Sequence, residues 1–406
     1  MRLLALAAAL AATVTAAQAG PAGDLLKQHL YAGTLAEGIE ALSVPTLVAD
    51  PEAQFGVGLL TFAQGFEGLG QGFYRHGLDI QGGREFGVFF PVPVNPNPAP
   101  LDYESFRDLL EGFVVAMDQA QAAFEAARGG DYVIPIDLMQ LRLDLNGDGT
   151  ADASEMVGGL LLTMISGDNP VTGSEALPAV EIGFDAADAI WFSGYTQVFA
   201  AQGDFVLAHD FHRLFEVAFH RLFPKAGLPM QKFSRGGQLA LDPETDAAIA
   251  DAIGAIHTLD WPVTDRARFQ RVRERLLSVI ALSRQNWDAI LLETDDNREL
   301  LPSPKQTSIV PDVQITDETV AAWRATLDTA EQILDGELLV PHWRFRQGFD
   351  LKAWFDTSTN NDLVLLFTGP DALPYLKDGP VADVQSFAAA NAVFGNDWLG
   401  YAFWFN

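Results

Sequence analysis

DYESFRDLLEGFVVAMDQAQAAFEAARGG, residues 102–130, decides the fold class. Phe106, Leu110, Phe113, Met117 and Phe124 recur at three- and four-residue steps or their sum, the spacing of one face of an α-helix. Gly129 and Gly130 then close the helix. Outward from this stretch the same periodicity predicts helices over Asp24–Leu42, Pro51–Leu78, Asp185–Phe223, Pro243–Leu259, Thr264–Glu293 and Thr316–Leu334. The second is glycine-rich, with Gly56, Gly58, Gly65, Gly68, Gly70 and Gly72. Each glycine costs helix stability but lets another helix approach closely. The alternate prolines of Pro91–Pro100 lack amide donors and force extended backbone, so this segment reads as a stiff crossing. A second proline-rich loop runs from Leu301 to Pro311.

Beyond residue 335 the pattern changes. Glu337–Phe345, Asp362–Thr368 and Gly400–Phe405 are short, apolar and aromatic, bounded by turn residues, and read as strands. The expectation is a mainly α protein. A helical body over 20–335 is followed by a smaller mixed α/β portion over 336–406, packed on that body. No repeat period is visible, which disfavours a solenoid.

Composition narrows the function classes. Of 406 residues 49% are apolar, enough for a large core. The formal charge of −29 argues against nucleic acid and anionic lipid as partners, since both repel it. The absence of cysteine excludes disulfides, thiolate metal sites and cysteine nucleophiles. Met1–Ala19 reads as a secretory signal peptide. Arg2 gives the positive start, Leu3–Val14 the apolar stretch, and Ala17-Gln18-Ala19 the small-x-small cleavage site before Gly20. Twelve apolar residues are too few to span a bilayer of about 30 Å. No later segment has the length of a membrane span. The mature chain is therefore expected to be soluble, in the bacterial periplasm or outside the cell.

Residues 144–155 carry the clearest chemistry. Asp144, Asn146 and Asp148 alternate so that three side-chain oxygens converge, and Gly149 takes a turn that a Cβ obstructs. Thr150 offers its carbonyl, Asp152 acts through a water, and Glu155 closes the set from the next segment. Ca²⁺ takes six to eight hard oxygens at 2.3–2.6 Å, which this pattern supplies. An acidic Asn-Gly/Asp-Gly turn needs neither the acid at the ninth position nor the glutamate at the twelfth. The loop resembles the EF-hand family, and its Asp-x-Asn-Gly-Asp-Gly run is similar to the dockerin variant. The resemblance covers the loop and its exit segment, Ala153–Ile165, and implies a calcium ligand set of Asp144, Asn146, Asp148, Thr150, Asp152 and Glu155. Two features depart from the family. No second loop accompanies this one, and the eighth position, usually a branched apolar residue, is Ala151. The lead-in Tyr132–Ile136 also reads as extended rather than helical. A lone structural site follows, without paired sensing or cohesin-type docking.

His209, His212, Glu216 and His220 fall within about 80° on one face of the helix predicted over 185–223. This is the one cluster with transition-metal character. A metal-dependent periplasmic enzyme centred there is the competing reading. The span of about 16 Å from His209 to His220 prevents one ion from gathering all four. The bland reading is a hydrogen-bonded polar stripe. Arg266, Arg268, Arg271, Arg273 and Arg275 concentrate positive charge in an acidic chain, and pairing with surplus carboxylates is the expected use. No serine elbow, His-Glu-x-x-His, phosphate loop or dinucleotide glycine pattern occurs. Sequence thus points to an exported calcium-binding protein of a binding or scaffolding kind, with no catalytic residue singled out and its protein partner open.

Overall fold

A computed structural model describes residues 19–79, 92–159, 179–308 and 313–405. The expected signal peptide before Ala19, the exit segment of the loop 144–155 beyond residue 159, and the end of the second proline-rich loop lie outside the described residues. The fold is mainly α. In chain order the principal helices are α1 (Pro21–Ala32), α2 (Leu35–Leu42), α3 (Pro51–His76), α4 (Tyr103–Ala127), α5 (Ala186–Leu207), α6 (His212–Ala218), α7 (Pro243–Ile256), α8 (Arg266–Ile290) and α9 (Asp317–Leu334). Four short helices follow: α10 (Leu351–Thr357), α11 (Leu363–Thr368), α12 (Ala388–Phe394) and α13 (Trp398–Phe405).

The central packing runs α3 on α4, α4 on α5, and α5 on α8. The glycines of α3 make the first contact possible. A Cβ on Gly58 would lie 2.7 Å from the Phe124 ring, and one on Gly72 2.3 Å from Leu109. A first core gathers Leu26, Phe55, Leu60, Phe124, Phe184 and Phe192. A second gathers Phe269, Trp287, Trp323, Phe394 and Phe405. Helix α5 supplies buried residues to both.

Sheet is minor. Strands β1 (Ile134–Asp137) and β2 (Glu181–Phe184) pair antiparallel, with Ile134 opposite Phe184. The lead-in to the loop 144–155 is thus extended, as its residues suggest. Strand β3 (Asp260–Pro262) pairs with β5 (Asn360–Asp362), and β4 (Gly348–Phe349) with β6 (Leu376–Lys377).

Three boundaries differ from the sequence reading. Asp24–Leu42 is two helices, because Gly33 takes a φ of 68° and ends the first. The helix expected over 185–223 stops at Leu207. There the Arg107 guanidinium takes the carbonyls of Leu207 and His209, both at 2.8 Å, and Asp210 N–H donates to Pro262 O. Finally, two of the C-terminal segments read as strands are largely helical. Leu363–Thr368 is capped by Asp362, which accepts from the Leu365 amide. Gly400–Phe405 lies in α13, which buries Phe405 against Trp287 and Trp323. Glu337–Phe345 keeps only isolated bridges at Leu339 and Val340. Aromatic composition favours strands only where a partner strand exists; here the partners are helices. Among the described residues no helix is long and apolar enough to cross a membrane.

Candidate functional site

The loop 144–155 is folded around its own carboxylates. Asp144 Oδ1 accepts from the amides of Gly147 (2.8 Å) and Asp148 (3.2 Å), and Oδ2 from Gly149 (2.9 Å). Asn146 Oδ1 accepts from Asp148 N–H, and Asp148 Oδ1 from Thr150 N–H. Gly147 and Gly149 have φ of 72° and 87°, the left-handed region that L side chains resist. Glu155 is fully buried. Its Oε1 accepts from Leu145 and Asn146, both at 2.9 Å, and its Oε2 from Asp152 at 3.1 Å. Asp152 caps the turn Ala153–Glu155, and the amide and hydroxyl of Ser154 hold its carboxyl below the usual range. Burial pushes the Glu155 carboxyl up.

The flanks of the loop close on each other. Arg142 and Met156 bridge antiparallel, and Val157 N–H donates to Leu141 O at 2.8 Å. The closed loop then docks on the body. Arg142 N–H donates to Leu30 O of α1, and Gln71 of α3 donates to Asp144 O at 2.8 Å. Ala151 sits against Gly33, where a Cβ on the glycine would come within 2.2 Å. This explains the small residue at the eighth position: a branched side chain there would strike the α1–α2 turn. Glu67 of α3 lies beside the loop and accepts from Asp144 N–H at 2.7 Å. Burial first, then the charges of Asp144 and Glu155, push its carboxyl up to about 7. Sequence reasoning missed Glu67, 77 residues from its contact. The acids of the loop are close but not gathered: Asp144, Asp148 and Glu155 do not lie within 4.8 Å of one another as a trio.

One trio of potential metal-ligating groups does meet that distance among the described residues: Asp185, Glu293 and Glu299. Asp185 is the N-cap of α5, accepting from Ala187 and Asp188, while Asp188 accepts from Asp185 N–H. Glu299 accepts from Asn297 N–H and Glu293 from the Gln306 amide, both in the loop after α8. Burial and mutual repulsion raise all four carboxyls, Glu293 to about 8 and Glu299 to about 7, with Asp188 well above its ordinary value.

The histidine face does not form. Because the helix stops before His209, the four residues point into different surroundings. His209 is buried with both ring nitrogens engaged, Nδ1 with Phe205 O and Nε2 with the Asn361 amide, each at 2.6 Å. Burial lowers its pKa, so it is a neutral core imidazole with no free lone pair. His212 stacks on Tyr103 at 4.6 Å and faces Glu216 at 3.7 Å on the surface. His220 contacts Asp251 at 2.9 Å, which also binds Arg221. His76, His257 and His342 join none of these, and no trio of metal-ligating groups among the described residues contains a histidine.

The arginine run is consumed internally, as expected. Asp204 of α5, with no solvent exposure, meets Arg268, Arg271 and Arg275 at 3.1, 2.9 and 2.8 Å. Arg268 also pairs with Glu111, and Arg275 with Asp118, both on α4. Arg273 pairs with Asp335, and Arg266 donates to Thr357 O. No anion pocket remains. Comparison with known families, curated proteins and solved structures returns no match, so geometry alone carries the functional reading.

Proposed function

We propose that the chain is an exported calcium-binding protein in which residues 144–155 hold one Ca²⁺ that staples the loop to α1 and α3. The observation that carries this reading is the closure of the loop. Asp144 and Glu155, its first and twelfth residues, are both turned inward and organise the intervening amides. Side-chain oxygens of Asp144, Asn146, Asp148 and Glu155, the Thr150 carbonyl and an Asp152-bound water make a set of hard oxygens suited to Ca²⁺ and poor for softer metals. Ion–oxygen distances of 2.3–2.6 Å put opposite ligands about 5 Å apart. Binding therefore draws the carboxylates inward, and contraction of the loop accompanies ligation. An isolated site of this kind binds at about 10⁻⁴–10⁻³ M.

Thermal unfolding in millimolar Ca²⁺ against chelator is the direct test. At ten times Kd the ion adds about 1.4 kcal/mol, which at this chain length is a Tm rise of roughly 2 °C. Asp144→Ala removes that rise. Equal curves for the native chain in calcium and in chelator would end the proposal. Affinity is also expected to increase between pH 6 and pH 8, because ionisation of Glu67 near pH 7 adds a negative charge beside the ion. Glu67→Gln flattens that dependence in a calorimetric titration.

A further inference from the structure

Glu52 is a buried carboxylate, 8% exposed, in the first turn of α3, and among the described residues the charges that act on it are of its own sign. Asp50, the α3 N-cap, and Asp24, in the first turn of α1, both repel it, while the nearby Tyr132 hydroxyl is turned to Ala127 O. The nearby cation of α1, Lys27, is paired with Asp24 at 3.4 Å. What Glu52 does hold is the backbone nitrogen of Gly20, donating to Oε1 at 2.7 Å, with a further amide bond from Gly23. The fit is close: a Cβ at position 20 would lie 2.3 Å from Glu52 Oε2, so the carboxylate would have to move to accept one. Gly20 is also the residue that follows Ala17-Gln18-Ala19, the small-x-small cleavage signal.

We infer that hydrolysis of the Ala19–Gly20 bond supplies the missing cation: the new N-terminal ammonium of Gly20 pairs with Glu52 and fastens the start of α1 to the start of α3. The inference rests on the export reading. In the cleavage step water adds across the amide under an export peptidase. Ala19 leaves with the carboxylate, and the Gly20 nitrogen takes up protons to become an ammonium. Before cleavage that nitrogen gives Glu52 one neutral N–H; afterwards it gives charge-assisted hydrogen bonds from the same place, which are about twice as strong. A free ammonium at a helix N-terminus opposes the helix dipole, and the Glu52 carboxylate offsets that conflict.

The test uses the exported mature protein, its N-terminally acetylated form and Glu52→Gln. N-terminal sequencing is expected to begin at Gly20; any other start overturns both the export site and the pair. The Gly20 amine is expected to titrate about one unit above the ordinary 7.7–8.0, read by NMR of the labelled terminus. Acetylation of the folded protein keeps the atom and removes the charge, and should lower Tm by about 2 °C. The same acetylation of Glu52→Gln should change nothing further. A chain that begins at Gly20 yet shows an ordinary amine, with acetylation equally harmful in both backgrounds, overturns the pair and leaves the export site standing.

Discussion

Asp204→Ala is expected to lower the unfolding free energy by about 3–5 kcal/mol and Tm by roughly 4–6 °C. The reason is the position of the charge. Asp204 has no solvent exposure and receives three guanidinium groups from one face of α8. Arg275 is itself buried and spans from Asp204 to Asp118 and Gln197. Removing the central carboxylate leaves a buried cation short of a partner, and the loss of one partner costs more than the intact pair contributes. Asp118→Ala is the matched control. Asp118 is about half exposed, so its loss should cost less than about 1 kcal/mol. Chemical denaturation of the two variants decides the matter, and a loss for Asp204→Ala no larger than for Asp118→Ala would remove the network from the account of stability.

The second large effect concerns pH. Asp185, Asp188, Glu293 and Glu299 all have folded-state values raised above those of an unfolded chain, Glu293 to about 8 and Glu299 to about 7. Between the unfolded values near 4 and these folded values, the native state binds more protons than the unfolded state. Stability then falls as pH rises through that window, and the share of Glu293 and Glu299 is fully lost above about pH 8. Glu293 keeps some solvent access, so its contribution is discounted to about 2 kcal/mol. The native chain is expected to melt several degrees lower at pH 8.5 than at pH 6 in chelator. Glu293→Gln should recover most of the difference, because it carries a neutral group of the same shape at every pH. A variant that tracks the native chain across the whole range would show that the cluster does not titrate in this window.

Much of the helical fold was legible because the relevant signals are local. Asp50, Asp102, Asp185, Asp242 and Asp265 each cap a helix with a side-chain hydrogen bond, and the three- and four-residue spacing locates the buried faces. Failures occur where a distant residue decides. Arg107, about a hundred positions away, ends α5 and thereby scatters the histidines. The segment Trp398–Phe405 is apolar all round, so no periodicity marks its type, and its helical form follows from the pocket beside Trp287 and Trp323. For the loop 144–155 the spacing of oxygens was legible, but Glu67 and Gln71, which seat it on α3, lie more than seventy residues upstream. The acid cluster was half visible. Asp185 and Asp188 carry the spacing of a cap, yet nothing local reveals that Glu293 and Glu299 fold over them.

Helix α5 has a consequence for how the molecule comes apart. It supplies Ala189 and Phe192 to one core, Ala187 and Ala201 to the second, and Ala200 and Leu207 to the smaller cluster against α4, while Val206 borders the fourth. No apolar cluster can open fully while α5 stays in place, and α5 cannot leave without opening all of them. The amide protons of α5 should therefore exchange with solvent only through the rarest, largest opening, at a rate set by global unfolding. The two main cores should be lost in one cooperative transition, even though no buried residue belongs to both.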